Sequence, residues 1–342
     1  MEKHILEYEK PFEFEAGGVL DKIQIAYHTP DGRERPREGE KVIWICHALT
    51  ADSDPQDWWP ELVGPGKFFD TDRYFIACVN MLGSCYGTSG PSSLNPKTGC
   101  PYFFDFPKVT VRDIARTINI VREHLGISKI DFIVGSSIGG FQALELCIMY
   151  PDLIRNAAFI ATLGRVTPWL TGFEESQRMA LEADPTFREC KDLDGGKAGM
   201  KCARTIALLS YRCEDGYNRK QTEQSDDTIF ADRAASYQRY QGEKFAKRFD
   251  AYSYYSLSYS VDSDNVGRGR GGLARAYGMI SCPSKVVAID SDLIFPPYEM
   301  EQMAKMIPEA GYSVITSHYG HDGFLLENEQ IMKELAPILE SL

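Results

Sequence analysis

Gly135-Ser136-Ser137-Ile138-Gly139 stands between an apolar run, Ile130 to Val134, and a helical stretch, Phe141 to Tyr150. A serine with glycine two positions away on each side suits a sharp, strained turn from strand to helix, where larger neighbours would not fit. The helix that follows points its N-terminus at the serine, and its free N–H groups can stabilise developing negative charge. Ser137 is therefore the candidate nucleophile. A glycine-rich phosphate loop is the rival reading, but neither G-x-G-x-x-G nor a Lys-Ser/Thr ending is present.

A serine on such a turn requires a carboxylate and then a histidine later in the chain. Of six histidines, His4, His28, His47 and His124 precede Ser137, which leaves His318 and His321. His321, in Gly320-His-Asp-Gly323 just before a helix, is the candidate base, with His318 as runner-up. A single His-x-x-His pair lacking thiolate or carboxylate partners does not make a zinc site, and no metal is expected. Asp290 and Asp292 both follow the apolar run Lys285 to Ile289. Asp292 lies within the loop whose path Pro296 and Pro297 fix, and it is the better candidate to hold the histidine tautomer and stabilise the imidazolium. Two backbone N–H groups must receive the oxyanion. Ile138 supplies one, and Leu49, in His47-Ala-Leu-Thr50 after an apolar run ending at Cys46, supplies the other.

The elements needed to position these residues are legible. Val42 to Cys46 and Tyr74 to Val79 are short apolar runs, as strands covered on both faces tend to be. Lys22 to Tyr27 alternates like a strand on an open sheet edge. Thr110 and Asp113 cap a helix whose Ile114, Ile118, Val121 and Leu125 share a face, and Gly126 ends it. Ala157 to Ile160, Lys285 to Ile289 and Tyr312 to Ile315 are further strands, and a last helix spans about 328–339. Alternating strands and helices imply an α/β fold with a mostly parallel central sheet flanked by helices. Between Arg165 and Leu273 buried strands disappear and helical segments dominate (173–181, 200–212 and 232–249). This predicts a helical lid at 165–273 inserted into a core formed by 1–164 and 274–342.

Composition narrows the function classes. With 342 residues, the chain can bury a core without disulfides or metals. Its 49 acidic against 37 basic side chains argue against nucleic-acid binding, which needs a clustered basic surface. No apolar stretch is long enough for a membrane span. Nine cysteines with no C-x-x-C pair read as reduced thiols, and a cytoplasmic protein is expected.

Several motifs occur in register: His47-Ala-Leu-Thr50, Trp58-Trp59, Gly64-Pro-Gly-Lys67, Asp70-Thr-Asp-Arg-Tyr-Phe75, Cys85-Tyr-Gly87 and Gly90-Pro-Ser-Ser93. Asn95-Pro-Lys-Thr-Gly99, Phe106-Pro107, Thr110-Val-Arg-Asp113, Ser291-Asp292 with Phe295-Pro-Pro297, and His321-Asp322 continue the series. Together, from about residue 10 to 335, they resemble the homoserine O-acetyltransferases of the α/β-hydrolase superfamily. The resemblance implies an α/β-hydrolase fold and ping-pong acyl transfer from acetyl-CoA to L-homoserine, in methionine biosynthesis. No permanently bound cofactor is implied, and a homodimer is. It also implies that Arg204, Tyr211 and Asp322 hold the amino acid, with Thr50 at the same site. A spacing of seven puts Arg204 and Tyr211 on one helix face. Guanidinium would grip the α-carboxylate and Asp322 the α-ammonium.

Ser136 and Ile138 depart from the family's usual glycine and methionine, Ala51 from a common glycine, and Leu293-Ile294 from a tryptophan-leucine pair. Homoserine O-succinyltransferases and serine O-acyltransferases share the motifs, so donor and acceptor stay open at this stage. An esterase or thioesterase with the same three residues and a non-catalytic binding protein of this fold are the remaining alternatives. In Asn265-Val-Gly-Arg-Gly-Arg-Gly-Gly272, Arg268 or Arg270 could meet coenzyme A phosphates, but a return from lid to core is the preferred reading.

Overall fold

The structure is a computed structural model describing residues 1–342. Eight strands form the main sheet: β1 (Glu2–Tyr8), β2 (Ile23–Thr29), β3 (Lys41–Cys46), β4 (Tyr74–Val79), β5 (Phe132–Ser136), β6 (Ala157–Ile160), β7 (Ser284–Ile289) and β8 (Ala310–Ile315). Their order is β1-β2-β4-β3-β5-β6-β7-β8. The β1–β2 and β2–β4 pairs are antiparallel and all others parallel. Eight helices have ten or more residues: α1 (Val111–His124), α2 (Ile138–Met149), α3 (Pro168–Glu182), α4 (Lys197–Tyr211), α5 (Arg233–Ala246), α6 (Ala251–Asp262), α7 (Pro297–Met306) and α8 (Asn328–Glu340).

Period-two alternation divides the strands between two cores. Val42, Trp44 and Cys46 of β3 join the core under α1 and α2. Ile43 and Ile45 point the other way, into a core closed by Trp59, Phe69 and Ile331 and Leu335 of α8. This is why β3 reads as a continuous apolar run: both of its faces are covered. The capping box at Thr110 and Asp113 is present on α1, with each side chain bonded to the other residue's backbone.

Three expectations need correction. The strand at Lys22 to Tyr27 is not an edge. β1 covers it along its whole length, from Glu2 opposite Thr29 to Tyr8 opposite Ile23. The charged outer face of β1 hid it, because no strong apolar alternation marks a strand whose sides are only half-buried. The run Ile130 to Val134 starts early: β5 is Phe132–Ser136, and Ile130 makes only an isolated bridge to Ile154. The helix after the serine turn begins at Ile138, not Phe141. Arg268 and Arg270 fit the preferred reading, a return from lid to core, because both are engaged by carboxylates of the core side. Arg270 grips Glu145 at 3.0 and 2.6 Å, and Arg268 meets Glu15 at 3.0 Å. These pairs fasten the chain returning from the helical segment to the core.

That segment leaves the sheet after β6 and rejoins it before β7, carrying α3 to α6. Its two ends meet at a bridge between Arg165 and Asn265. α6 is rich in tyrosine, and its Tyr252 and Tyr254 are buried against Phe187 and Phe245. No helix is long and apolar enough to cross a membrane.

Candidate active site

Ser137 sits between β5 and α2 at φ 56° and ψ −129°, a left-handed conformation that costs a non-glycine residue on the order of 1–3 kcal/mol. Gly135 and Gly139 make the turn possible. A Cβ on Gly135 would collide with the Gly139 carbonyl, and one on Gly139 with the Cys46 carbonyl. The Ser137 carbonyl is held by the Thr162 hydroxyl at 2.8 Å.

The structure brings Ser137, Asp292 and His321 together. His321 Nε2 lies 2.9 Å from Ser137 Oγ, and its Nδ1 lies 2.7 Å from Asp292 Oδ2. A carboxylate can only accept, so Nδ1 carries the proton and Nε2 is the acceptor for the serine hydroxyl. The second oxygen of Asp292 accepts the N–H groups of Ile294 and Phe295, at 2.8 and 3.1 Å, which fixes the carboxylate plane. Asp290 has a separate task, accepting the Ser317 N–H at 2.9 Å. Burial opposes the protonated form of His321, but the charge and hydrogen bond of Asp292, with Asp322 adding, lift its pKa above the ordinary value. Tyr211, Phe295 and Phe324 surround the ring at centroid distances of 5.8, 5.4 and 5.3 Å. His318 is exposed and faces Asp215 at 3.3 Å, away from the serine. No cluster of three side chains suited to a metal ion forms anywhere.

Leu49 and Ile138 both border the space beside Ser137. The loop carrying Leu49 is braced by His47, a residue the chain-order argument had set aside. Its Nδ1–H donates to Ala48 O at 2.9 Å and its Nε2 accepts the Met81 N–H at 3.0 Å. Burial pushes its pKa down to about 4, so the imidazole stays neutral and both bonds persist at physiological pH. The histidine before a loop N–H was visible in the sequence; its bracing role needed the Met81 backbone to be located.

Ser137 opens onto a cleft of about 520 Å³ whose walls include Thr50, Arg204, Tyr211, Arg248, His321 and Asp322. Arg204 stacks over Phe245 and Tyr211, 4.7 and 5.6 Å from the ring centroids. Its Nε and Nη1 are buried and have no partner. Burial raises the Tyr211 phenol pKa, so the hydroxyl keeps its proton. Asp322 is paired with Arg212 Nη1 at 2.5 Å. Thr50 contributes its carbonyl to Arg248 Nη1 at 2.7 Å, and Arg248 also meets the Tyr86 hydroxyl at 2.6 Å. Sequence reasoning missed Arg212 and Arg248. Arg212 adjoins Tyr211, but its ion pair depends on the close approach of the α4 end to Gly320, where a Cβ would strike the backbone of Arg212 and Cys213.

A family profile described as "alpha/beta hydrolase fold" matches residues 41–328. The homoserine O-acetyltransferase of Cyclobacterium marinum is 40% identical over 333 residues, which cover 97% of this chain and 93% of that protein. The crystal structure of homoserine O-acetyltransferase from Bacillus anthracis superposes with a TM-score of 0.90 at 23% identity, over 99% of this chain and 97% of that one. Esterase E22 superposes at 0.88 with 22% identity, over 99% of both chains. At such low identity the two crystal structures speak for the fold alone, and a transferase and an esterase share it almost equally. The similarity to the Cyclobacterium marinum protein, at higher identity and nearly full length on both sides, goes further: this chain belongs to the homoserine O-acetyltransferase family of α/β-hydrolase-fold proteins.

Proposed function

We propose that this protein transfers an acetyl group from acetyl-CoA to the hydroxyl of L-homoserine through an acyl-enzyme on Ser137. His321 Nε2 takes the Ser137 proton as Oγ attacks the thioester carbonyl carbon. The negative charge developing on the carbonyl oxygen is received by the N–H groups of Ile138 and Leu49. Collapse of the tetrahedral species breaks the carbon–sulfur bond, and His321 returns its proton to the departing sulfur. L-Homoserine then enters, His321 deprotonates its hydroxyl, and that oxygen takes the acetyl group from Ser137, which recovers its proton. Asp292 holds the tautomer and stabilises the imidazolium in both halves.

The observation that carries the acceptor assignment is Arg204. A guanidinium with two buried, unpartnered nitrogens is costly to maintain unless an anion completes it. It borders the same cleft as Ser137 and His321. The α-carboxylate of the acceptor supplies that anion, the Tyr211 hydroxyl adds a donor, and Asp322 takes the α-ammonium while Arg212 fixes its position. An esterase delivering its acyl group to water has no use for such a grip. Nine cysteines without a disulfide suit a reducing cytoplasm, and we assign the enzyme there.

Thiol release from acetyl-CoA and from succinyl-CoA, each with L-homoserine, L-serine or no acceptor, tests this. Release should be fastest with acetyl-CoA and L-homoserine together. Equal release without an amino acid would make the protein a hydrolase, and faster release from succinyl-CoA would change the donor.

A further inference from the structure

Besides the open cleft, Ser137 borders a second, much smaller chamber of about 20 Å³. A single water needs roughly 10–15 Å³ on this measure, so the space suits a methyl group and little more. Its walls include Leu49 and Ile138, whose N–H groups are assigned to the oxyanion, and the apolar side chains of Phe141, Val261, Ile294 and Phe295. One ionisable carboxyl group lines it: Glu174 of α3. Glu174 is 2% exposed, and its Oε2 is buried without a partner. The nearest arginine along the helix is already committed, since Arg178 binds Glu175 at 2.8 Å and Asp262 at 2.6 Å. Tyr211, Tyr254 and Gln177 are the other polar neighbours.

We infer that Glu174 forms the end wall of the acyl pocket and restricts the donor to a two-carbon acyl group. This deepens the acyl-transfer reading and rests on it. Once the carbonyl carbon bonds Ser137 Oγ and its oxygen turns to Ile138 and Leu49, the rest of the acyl group must occupy the space those residues border. An acetyl group leaves only a methyl there. A four-carbon group drives two more carbons into the Glu174 carboxyl. A succinyl tail adds a carboxylate for which no cation faces the chamber. Burial, reinforced by the charge of Asp262, raises the Glu174 carboxyl to about 8, so the wall is chiefly the neutral acid at pH 7, the form an apolar chamber accepts.

The test compares acetyl-, butyryl- and succinyl-CoA with L-homoserine, and p-nitrophenyl acetate and butyrate without it, in wild type, Glu174→Ala and Glu174→Gln. Each variant is judged by ratios of kcat/KM, so a general loss of activity or folded fraction cancels. Glu174→Ala should raise the butyryl-to-acetyl ratio by about tenfold or more, as two admitted methylene groups warrant. The rise should appear with thioesters and p-nitrophenyl esters alike, while succinyl-CoA stays poorer than butyryl-CoA. Glu174→Gln, with the same volume, should keep the ratio within about twofold of wild type. Should the alanine variant not fold, Glu174→Asp, one methylene shorter, should give a smaller rise in the same direction. An unchanged ratio in the shortened variants, or a rise in Glu174→Gln as large as in Glu174→Ala, overturns the inference. Ester ratios that shift in a protein unable to use acyl-CoA with L-homoserine would overturn the transferase reading and leave the wall in place.

Discussion

Replacing Arg204 by leucine gives a direct measure of how the acceptor is held. Two buried guanidinium nitrogens, Nε and Nη1, lack partners in the free protein. A carboxylate bound to both makes two charge-assisted hydrogen bonds, each worth about 1.5–3 kcal/mol, so losing them costs about 3–5 kcal/mol once imperfect geometry is allowed for. That corresponds to a fall in kcat/KM for L-homoserine of about 10²- to 10³-fold or more. The assay is thiol release from acetyl-CoA at varied L-homoserine, with the burst of acyl-enzyme formation recorded separately. The burst should change far less than the acceptor step, because Arg204 is assigned to the second half-reaction. 3-Aminopropan-1-ol, which lacks the carboxylate, supplies the control: wild type and Arg204→Leu should use it with similar, low efficiency, since both deletions remove one interaction and should not add. Thermal stability should not fall, because leucine still packs on Phe245 and no unpaired donors remain buried. A loss below tenfold with L-homoserine, or a burst that declines in parallel with it, would refute the carboxylate role.

Three further predictions follow from the same geometry. His321 must be neutral to act as base and its pKa is raised, so kcat/KM should fall on the acid side with a midpoint above 6.5; Asp292→Asn should move that midpoint down and cost about 10⁴-fold in rate, as measured by a pH series of thiol release. Glu145→Ala removes a nearly fully buried carboxylate that joins Arg112 and Arg270, at 3.0 and 2.6 Å, while Glu15 and backbone carbonyls still hold the two arginines, and should cost about 1.5–3 kcal/mol in chemical denaturation and a few degrees in Tm. Glu174 holds its proton more tightly folded, at about 8, than unfolded, at 4.5, so its contribution to stability is lost as pH rises through that window, by up to about 1.4 kcal/mol per pH unit. Glu174→Gln should therefore gain stability over wild type from pH 5 to about pH 8 and level off above it, and an advantage independent of pH would sink this account.

What could be read from the sequence, and what could not, divides along a physical line. The serine turn was legible because steric exclusion leaves a local mark: Gly135 and Gly139 must lack side chains, and they stand at fixed offsets from Ser137. Asp292 and His321 were legible because the order of the chain through a parallel sheet limits which late residues can reach that turn. The central strands declared themselves through apolar runs, whereas β1, with charged residues along its outer face, did not. Glu174 and Glu175 show why the remainder of the site stayed hidden. Adjacent acids in a charged helical segment read alike, and both read as a solvated face. In the fold Glu175 is largely exposed and engages Arg178, while its neighbour turns 100° around the helix axis into the chamber beside the nucleophile. By pattern alone Arg204 reads like the other arginines of the helical segment, and it was the family resemblance that named it; in the fold it differs from buried Arg178, which has carboxylate partners. Local pattern announces the candidate nucleophile, because its turn demands unusual backbone, and chain order announces Asp292 and His321. Arg204 and Glu174, proposed to choose acceptor and donor, sit on ordinary helices, and the lack of a partner for their buried polar atoms sets them apart from their helical neighbours.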